Sequence, residues 1–299
     1  MIIKRNKTMS KTLKILSRPK GNAEEYGRWA VNPYLGCSNN CNYCFLKKGP
    51  GAKTLGGDAP VLKKGVVNEE HAYHLAMAEI IEHREEIIKD GGLFMTFTSD
   101  PCAAETRSLF FRIVKDAMEK RIPVMLLTKN ADFTKEYCYE NIRWRLSVYS
   151  YGHDVAFGWT LTGHDELEPH APSNEMRLQE MSRASRDGFK VWASIEPIID
   201  FDSSYQMIAD ALAAGCQHFK IGLLTNNTKP CREKYDIEEC IYFINRAMAL
   251  TKDRATVYWK QSVREFVRTC RKPALTDDEL HTIFDTWPHS VDSHWLMFE

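Results

Sequence analysis

Short apolar runs alternate with amphipathic stretches from about residue 29 onward. Residues 29–34 read as a short strand. Asn68 can N-cap a helix running to residue 89, with Leu75, Ala76, Met77, Ile80, Ile81, Ile87 and Ile88 apolar along it and Gly91-Gly92 as its stop. Residues 93–98 predict a strand, and 105–121 an amphipathic helix with Leu109, Ile113, Val114 and Ala117 on one face. The run 124–128 is apolar throughout, as expected of a strand covered on both faces. A helix over 134–146 follows, then a strand over 155–160, a helix over 173–186 with Ser173 as N-cap, and a strand over 191–195. The pattern continues with a helix over 203–214 closed by Gly215, a strand over 219–223, a helix over 237–250 and a last short strand over 256–259. Two short helices, around 263–269 and 277–285, end the chain.

Strands separated by helices of about ten or more residues imply right-handed βαβ units and a parallel sheet. The expected fold class is therefore α/β: a partial (β/α)6-type TIM-like barrel of parallel strands with a C-terminal helical extension. It divides into an arm over 1–28, a core barrel over 29–260 and an extension over 261–299.

Composition agrees with a packed globular chain: of 299 residues, 43% are hydrophobic, 27% charged and 11% aromatic, too apolar to stay disordered. Forty basic and forty acidic residues cancel, so net charge does not mark a cationic nucleic-acid binder. Locally the balance differs. The first 28 residues hold Lys4, Arg5, Lys7, Lys11, Lys14, Arg18, Lys20 and Arg28 against Glu24 and Glu25. They read as an extended, surface-running arm, either simply solvated or contacting phosphate. No apolar run approaches membrane-spanning length, and the N-terminus lacks an apolar core and a small-residue cleavage site. A cytoplasmic protein with no membrane partner is the expectation. The Gly/Lys/Pro stretch 47–64 reads as a long loop, and loops of that length are usually functional.

The nine cysteines are divided unevenly. Cys37, Cys41 and Cys44 form a Cys-x3-Cys-x2-Cys set, while Cys102, Cys138, Cys216, Cys231, Cys240 and Cys270 are scattered. In a reducing compartment most should be free thiols. Three thiolates this close converge on one metal centre or stay unpaired. A structural zinc site wants four ligands, usually as two separated pairs, and no second Cys-x2-Cys pair exists. A [4Fe–4S] cluster for simple electron transfer wants a cysteine on each iron. Three cysteines leave one iron open to a chelating ligand.

This spacing, with Tyr43 before the third cysteine, resembles the radical S-adenosylmethionine (radical SAM) superfamily. The resemblance implies a [4Fe–4S] cluster on Cys37, Cys41 and Cys44 whose open iron chelates SAM. An external electron donor of flavodoxin or ferredoxin type would drive cleavage of SAM to methionine and a 5′-deoxyadenosyl radical, which abstracts hydrogen from substrate. Further segments follow the same family. They are Phe97-Thr98-Ser99-Asp100-Pro101, Leu127-Thr128-Lys129-Asn130, Gly158-Trp159-Thr160-Leu161-Thr162, Glu168-Pro169-His170-Ala171-Pro172-Ser173 leading to Arg177-Leu178, and Glu196-Pro197. Together they resemble the spore photoproduct lyase-like branch, often labelled DNA repair photolyase-like, over residues 29–260 as spaced motifs. By that resemblance Ser99 and Lys129 are ligands of the SAM carboxylate, and Tyr43, Thr98, Asp100 and Thr160 belong to the cofactor site. A lysine suits the role because it neutralises a carboxylate. For Thr98 and Thr160 an ordinary strand-end hydroxyl capping the next turn is the alternative. Most of these groups fall at C-terminal ends of predicted strands, where α/β barrels build their sites.

The chain also departs from that branch. Spore photoproduct lyases carry a hydrogen-donating cysteine just before the Thr-Ser-Asp triplet, where this chain has Phe97. Cys102 is the candidate for a relocated donor, although a lone cysteine is more often a small buried hydrophobe. Glu196 ends an otherwise apolar strand, so it either pairs with a base or faces the barrel mouth; a catalytic, mouth-facing role against SAM or substrate is the expectation. His164, Asp165 and Glu166 read as a solvated loop. The expected substrate is a nucleic acid or nucleotide, ahead of a small metabolite. The rival from another class is a non-catalytic iron–sulfur electron-transfer or sensor protein.

Overall fold

The computed structural model describes residues 13–48, 51–133, 155–226, 229–230, 232–270 and 284. The helices expected over 134–146 and 277–285, the first twelve residues of the arm, and Cys138 and Cys231 lie outside the described residues, apart from the single position Phe284.

The strands in chain order are β1 (Leu16–Ser17), β2 (Ala30–Val31), β3 (Tyr34–Leu35), β4 (Val61–Leu62), β5 (Leu93–Met95), β6 (Val124–Thr128), β7 (Val155–Thr160), β8 (Lys190–Ile198), β9 (His218–Leu223), β10 (Thr225–Asn226), β11 (Lys229–Pro230) and β12 (Thr256–Trp259). The helices are α1 (Phe45–Lys48), α2 (Ala52–Leu55), α3 (Glu69–Glu82), α4 (Arg84–Lys89), α5 (Arg107–Glu119), α6 (Asn174–Arg186), α7 (Phe201–Ala213), α8 (Ile237–Thr251) and α9 (Gln261–Cys270). Eight strands form one sheet in the order β1-β2-β5-β6-β7-β8-β9-β12. Every pairing in it is parallel except the first, where β1 runs antiparallel to β2. The fold is thus mixed α/β with a mostly parallel sheet. No strand pairing joins β1 to β12.

The central strands β5 to β9 bury both faces, and alternate residues go to different cores. Leu93, Met95, Leu126, Phe157, Trp159, Ala193, Ile195, Phe219 and Ile221 pack with the helices in the larger core. Ala30, Phe94, Met125, Ala156 and Trp192 point the other way and close around Tyr26, with Phe97 and Leu127 at the margin. This second face, opposite the helix-side core, is called the lumen side. Gly158 serves it, since a Cβ there would come within 2.1 Å of the Trp192 ring. Burial on both sides is why these strands read as unbroken apolar runs.

Several boundaries differ from the sequence pattern for local reasons. The helix expected through residue 89 breaks at His83, whose ring packs 5.0 Å from that of Trp29. Its start holds, with the Asn68 side chain accepting from the His71 amide at 2.8 Å. The strand expected over 93–98 stops at Met95 because Thr96 takes φ = 59°, a left-handed conformation rare for a β-branched residue. Ser173 caps α6 as expected. Asp200 caps α7, starting that helix two residues earlier than the pattern suggested.

The arm differs most. Its described part is not a solvated tail: Ile15, Leu16 and Tyr26 are buried, and β1 extends the sheet. Glu79 of α3 accepts the Ile15 and Leu16 amides at 3.1 and 2.6 Å, which satisfies part of the exposed strand edge. No helix among the described residues is long and apolar enough to cross a membrane.

Candidate functional site

Gly36 makes the entry to the cysteine segment. It adopts φ = 89°, and a Cβ there would meet the Ala59 carbonyl oxygen at 2.4 Å. The close approach lets the Cys37 amide donate to the Gly57 carbonyl at 3.0 Å. The segment then turns through Asn40, at φ = 51°, and the Cys44 amide closes back on the Cys41 carbonyl at 3.1 Å. Cys37, Cys41 and Cys44 are all free thiols, and Cys41 is buried.

The residues between the cysteines tie the segment to the strand ends. Asn39 donates from Nδ2 to Asp100 Oδ2 at 2.8 Å. Asp100 is itself buried and accepts three more bonds: from the Cys102 amide at 2.9 Å, the Thr128 hydroxyl at 2.6 Å and the Lys129 amide at 2.9 Å. Four donors on one carboxylate leave it little capacity to hold anything else. Asp100, expected among the cofactor contacts, is a post that aligns the cysteine loop with the ends of β5 and β6.

Tyr43 makes the second tie. Its hydroxyl donates to Glu168 Oε1. Glu168 pairs with Arg177 of α6, Nη2 to Oε2 at 2.6 Å, with both side chains fully buried. Arg177 also donates to the Thr160 carbonyl at the end of β7 and to the Pro172 carbonyl, each at 2.9 Å. The Asn42 amide adds a backbone bond to Leu167 at 2.9 Å. Thr160 thus contributes a carbonyl to this frame.

Lys129 completes the group. Its Nζ lies 4.0 Å from Glu168 Oε1 and 5.5 Å from the centre of the Tyr43 ring. Burial acts to lower its pKa, but the nearby Cys41 and Glu168 outweigh that and raise it. The thiols are raised as well, in their case by burial itself. Burial pushes Cys37 up to about 12, with Asp100 adding to the effect. Cys41 is raised by burial too, and Lys129 partly offsets this. Burial, then Glu168, holds the Tyr43 phenol well above its usual range, so it stays a donor. Among the described residues, no three His, Cys, Asp or Glu side chains converge as a single metal ion would need.

Ser99 and Thr98 stand at the end of β5. The Ser99 hydroxyl is buried without a hydrogen-bond partner. Thr98 instead donates to the Tyr34 carbonyl at 2.5 Å, tying the end of β5 to β3 and not capping its own turn. Asn32 accepts the Phe97 amide at 2.7 Å and so supports the strained turn at Thr96. Phe97 stacks on Phe94, ring centres 4.4 Å apart, at the margin of the lumen. Cys102 is not with it: this residue is 1% exposed in the core between sheet and helices, which does not suit the relocated hydrogen donor. Glu196 lies on the lumen side, paired with Lys260 at 2.6 Å and accepting from Tyr26. His164, expected as a solvated loop residue, bridges Glu166 at 2.7 Å and Asp200 at 2.5 Å.

Asn39, Arg177, Tyr26, Lys220 and Lys260 carried no role in the sequence reading. A signal existed for Arg177, an arginine at an inward position of an amphipathic helix, and for Lys220, a lysine inside a buried strand. Tyr26 gave none, because its partners are remote in sequence.

No known family profile matches the chain. It is 22% identical over 182 residues to an uncharacterized protein, MJ0683, of Methanocaldococcus jannaschii. That match takes in 58% of this chain and 61% of the relative, so the chain spans less than two thirds of the relative's length. Among solved structures it is similar to Streptococcus suis SuiB bound to S-adenosylmethionine, with a TM-score of 0.48 and 11% identity. The likeness covers 77% of this chain and 49% of that one. The functional reading therefore rests on this chain's own residues.

Proposed function

We propose that this chain is a radical SAM enzyme that carries a [4Fe–4S] cluster on Cys37, Cys41 and Cys44, binds SAM at the strand ends and takes hydrogen from a nucleotide or nucleic-acid substrate. The observation that carries this reading is the double tie of the cysteine segment to the sheet, Asn39 on Asp100 and Tyr43 on Glu168. It supports a site at the C-terminal edge of parallel strands, where α/β folds of this kind assemble groups from several strands.

The residues present fit the group. Three free thiols are held in one short segment, a spacing suited to one thiolate on each of three irons. The buried Ser99 hydroxyl still has its hydrogen bond to give. Lys129 keeps its charge next to Cys41 and Glu168. When bound, the cluster supplies the electron that splits the SAM sulfonium, fed by an external donor of flavodoxin or ferredoxin type.

The protein's part is binding and orientation. Lys129 and Ser99 hold the SAM carboxylate, the lysine through a charge-assisted bond. Asp100 keeps the Lys129 backbone and the Asn39 turn in register. Tyr43 and the buried Glu168–Arg177 pair fix the far side of the segment and exclude water from it. Phe97 and Phe94 wall the lumen side with apolar rings.

The test is anaerobic reconstitution followed by incubation with SAM and a one-electron reductant. Iron and sulfide near about four each per chain, a paramagnetic signal that changes on adding SAM, and release of 5′-deoxyadenosine are the expected results. A cluster signal indifferent to SAM would leave the electron-transfer or sensor role instead.

A further inference from the structure

The lumen of this sheet is unusual for an α/β barrel interior, which is normally filled with layers of branched apolar side chains. It holds two lysines. Lys220 on β9 is fully buried, donates to the Glu25 carbonyl at 2.9 Å and sits 5.2, 5.5 and 6.0 Å from the rings of Tyr26, Trp192 and Tyr258. Lys260, which follows β12, lies 2.6 Å from Glu196 Oε2 and 3.5 Å from Glu25 Oε2. Lys260 thus sits between two carboxylates, its charge spent inside the protein, while burial and then the neighbouring Lys260 hold the Lys220 amine well below the usual lysine range.

What reaches the surface is the carboxylate. The Glu196 side chain is 19% exposed and that of Lys260 only 2%. Its two oxygens differ. Oε2 takes both internal donors, Lys260 and the Tyr26 hydroxyl. Oε1 lies beside Gly222, where a Cβ would approach it to 2.8 Å and crowd the Lys260 stem at 3.0 Å. Gly222 therefore makes room for the carboxylate itself, and Oε1 takes neither of the two internal donors. Register puts this oxygen near the proposed reaction site. Thr160 pairs with Ser194, so Glu196 stands two residues further toward the C-terminal edge, the edge that also carries Lys129.

We infer that Glu196 Oε1 is a substrate-binding acceptor, and that the group it receives is an N–H donor, such as the N–H of a nitrogenous ring, an amide or an amidinium, and not a phosphate or carboxylate. This rests on the proposed radical SAM reading for the reaction that follows binding. The binding claim itself concerns only the lumen. Lys260 and Tyr26 fix the carboxylate plane, which makes them positioning residues, and Gly222 gives the carboxylate its seat. Anions are repelled by the exposed carboxylate, and the lysines that could attract them are covered.

The full-length chain labelled with 3-fluorotyrosine tests this without cluster or SAM, so the outcome is separate from that of the proposed activity. The Tyr26 resonance, assigned by its loss in Tyr26→Phe, reports on Glu196 through their hydrogen bond. Methylguanidinium chloride is the donor probe, sodium phosphate the anionic one and sodium chloride the ionic-strength control. The expected result is a saturable shift with methylguanidinium alone, weakened about tenfold or more in Glu196→Gln, as for loss of a charge-assisted bond. Gly222→Ala, whose methyl would collide with the carboxylate it now accommodates and push it out of place, should weaken it similarly. A shift with phosphate but not methylguanidinium, no shift with either, or methylguanidinium binding unchanged in Gly222→Ala would each overturn the assignment.

Discussion

Asn39, set between the first two cysteines, donates to Asp100 at 2.8 Å across sixty-one residues of sequence. The same carboxylate oxygen accepts the Lys129 amide at 2.9 Å. One buried side chain thereby sets the distance between the proposed cluster ligands and the proposed SAM ligand. Asp100→Ala would strand four donors, each costing about 1–3 kcal/mol when buried and unpaired. We expect a loss of at least several kcal/mol by chemical denaturation, and poor iron retention even in the folded fraction. Full iron binding in a stable Asp100→Ala protein would show that the segment does not need this post.

Replacing Cys37, Cys41 or Cys44 by Ala should abolish iron and sulfide binding. Cys216 and Cys102, both buried in the helix-side core, should tolerate Ala with iron content unchanged. Cys102→Ala should also leave 5′-deoxyadenosine formation intact, because the thiol is packed away from the lumen. Loss of that product in Cys102→Ala, at normal iron content, would return the residue to the chemistry.

Lys129→Ala should weaken SAM binding while the iron remains. A hydrogen bond to a charged group contributes about 1.5–3 kcal/mol, which corresponds to roughly ten- to hundredfold in Kd. Equilibrium dialysis with labelled SAM measures it, and an unchanged Kd would remove Lys129 from the SAM site.

The Glu168–Arg177 pair is buried on both sides. Breaking such a pair from one side leaves an uncompensated charge and costs about 3–5 kcal/mol. Arg177→Met should therefore destabilise more than Arg183→Met, whose ion pair is half exposed. Equal denaturation midpoints for the two variants would contradict the assignment.

His164 supplies a pH test. Burial acts to lower its pKa, but hydrogen bonds to Glu166 and Asp200 outweigh this and raise it above the ordinary 6.5. A raised folded-state value means the contribution is fully present below pH 6.5 and is lost as pH rises through the folded value. The Tm difference between wild type and His164→Gln should accordingly be largest near pH 6 and shrink toward pH 9. The effect is modest because the partners are largely exposed. A difference that grows with pH would reverse the sign of the coupling.

Much of the sheet was legible in the chain. β6, β7 and β12 fall where the apolar runs place them, since burial on two faces leaves a continuous pattern that needs no knowledge of partners. The cysteine segment was legible for a different reason, as ligands close in sequence need no fold to bring them together. The polar frame around them was not. Asp100 reads as a cofactor contact until its four donors are seen, and three of those come from other loops or strands. Tyr26 and Glu25 read as part of a charged tail because their partners, Ser194, Glu196, Tyr258 and Lys260, are more than about 160 residues away. Local periodicity carries no information about contacts at that separation.

That separation bears on how the chain is made. The segment through Tyr26 is made before its partners on β8, β9 and after β12, which follow it by 168 to 236 residues. Until Lys260 is made, Tyr26 can already pack on Phe94 and Trp192, but Glu25 and Glu196 lack the ammonium that joins them. Products truncated before Lys260 should be aggregation-prone for this reason, with two carboxylates on the inner face left without their cation. Expression conditions that slow or stall translation late in the message would then lower soluble yield more than those acting early.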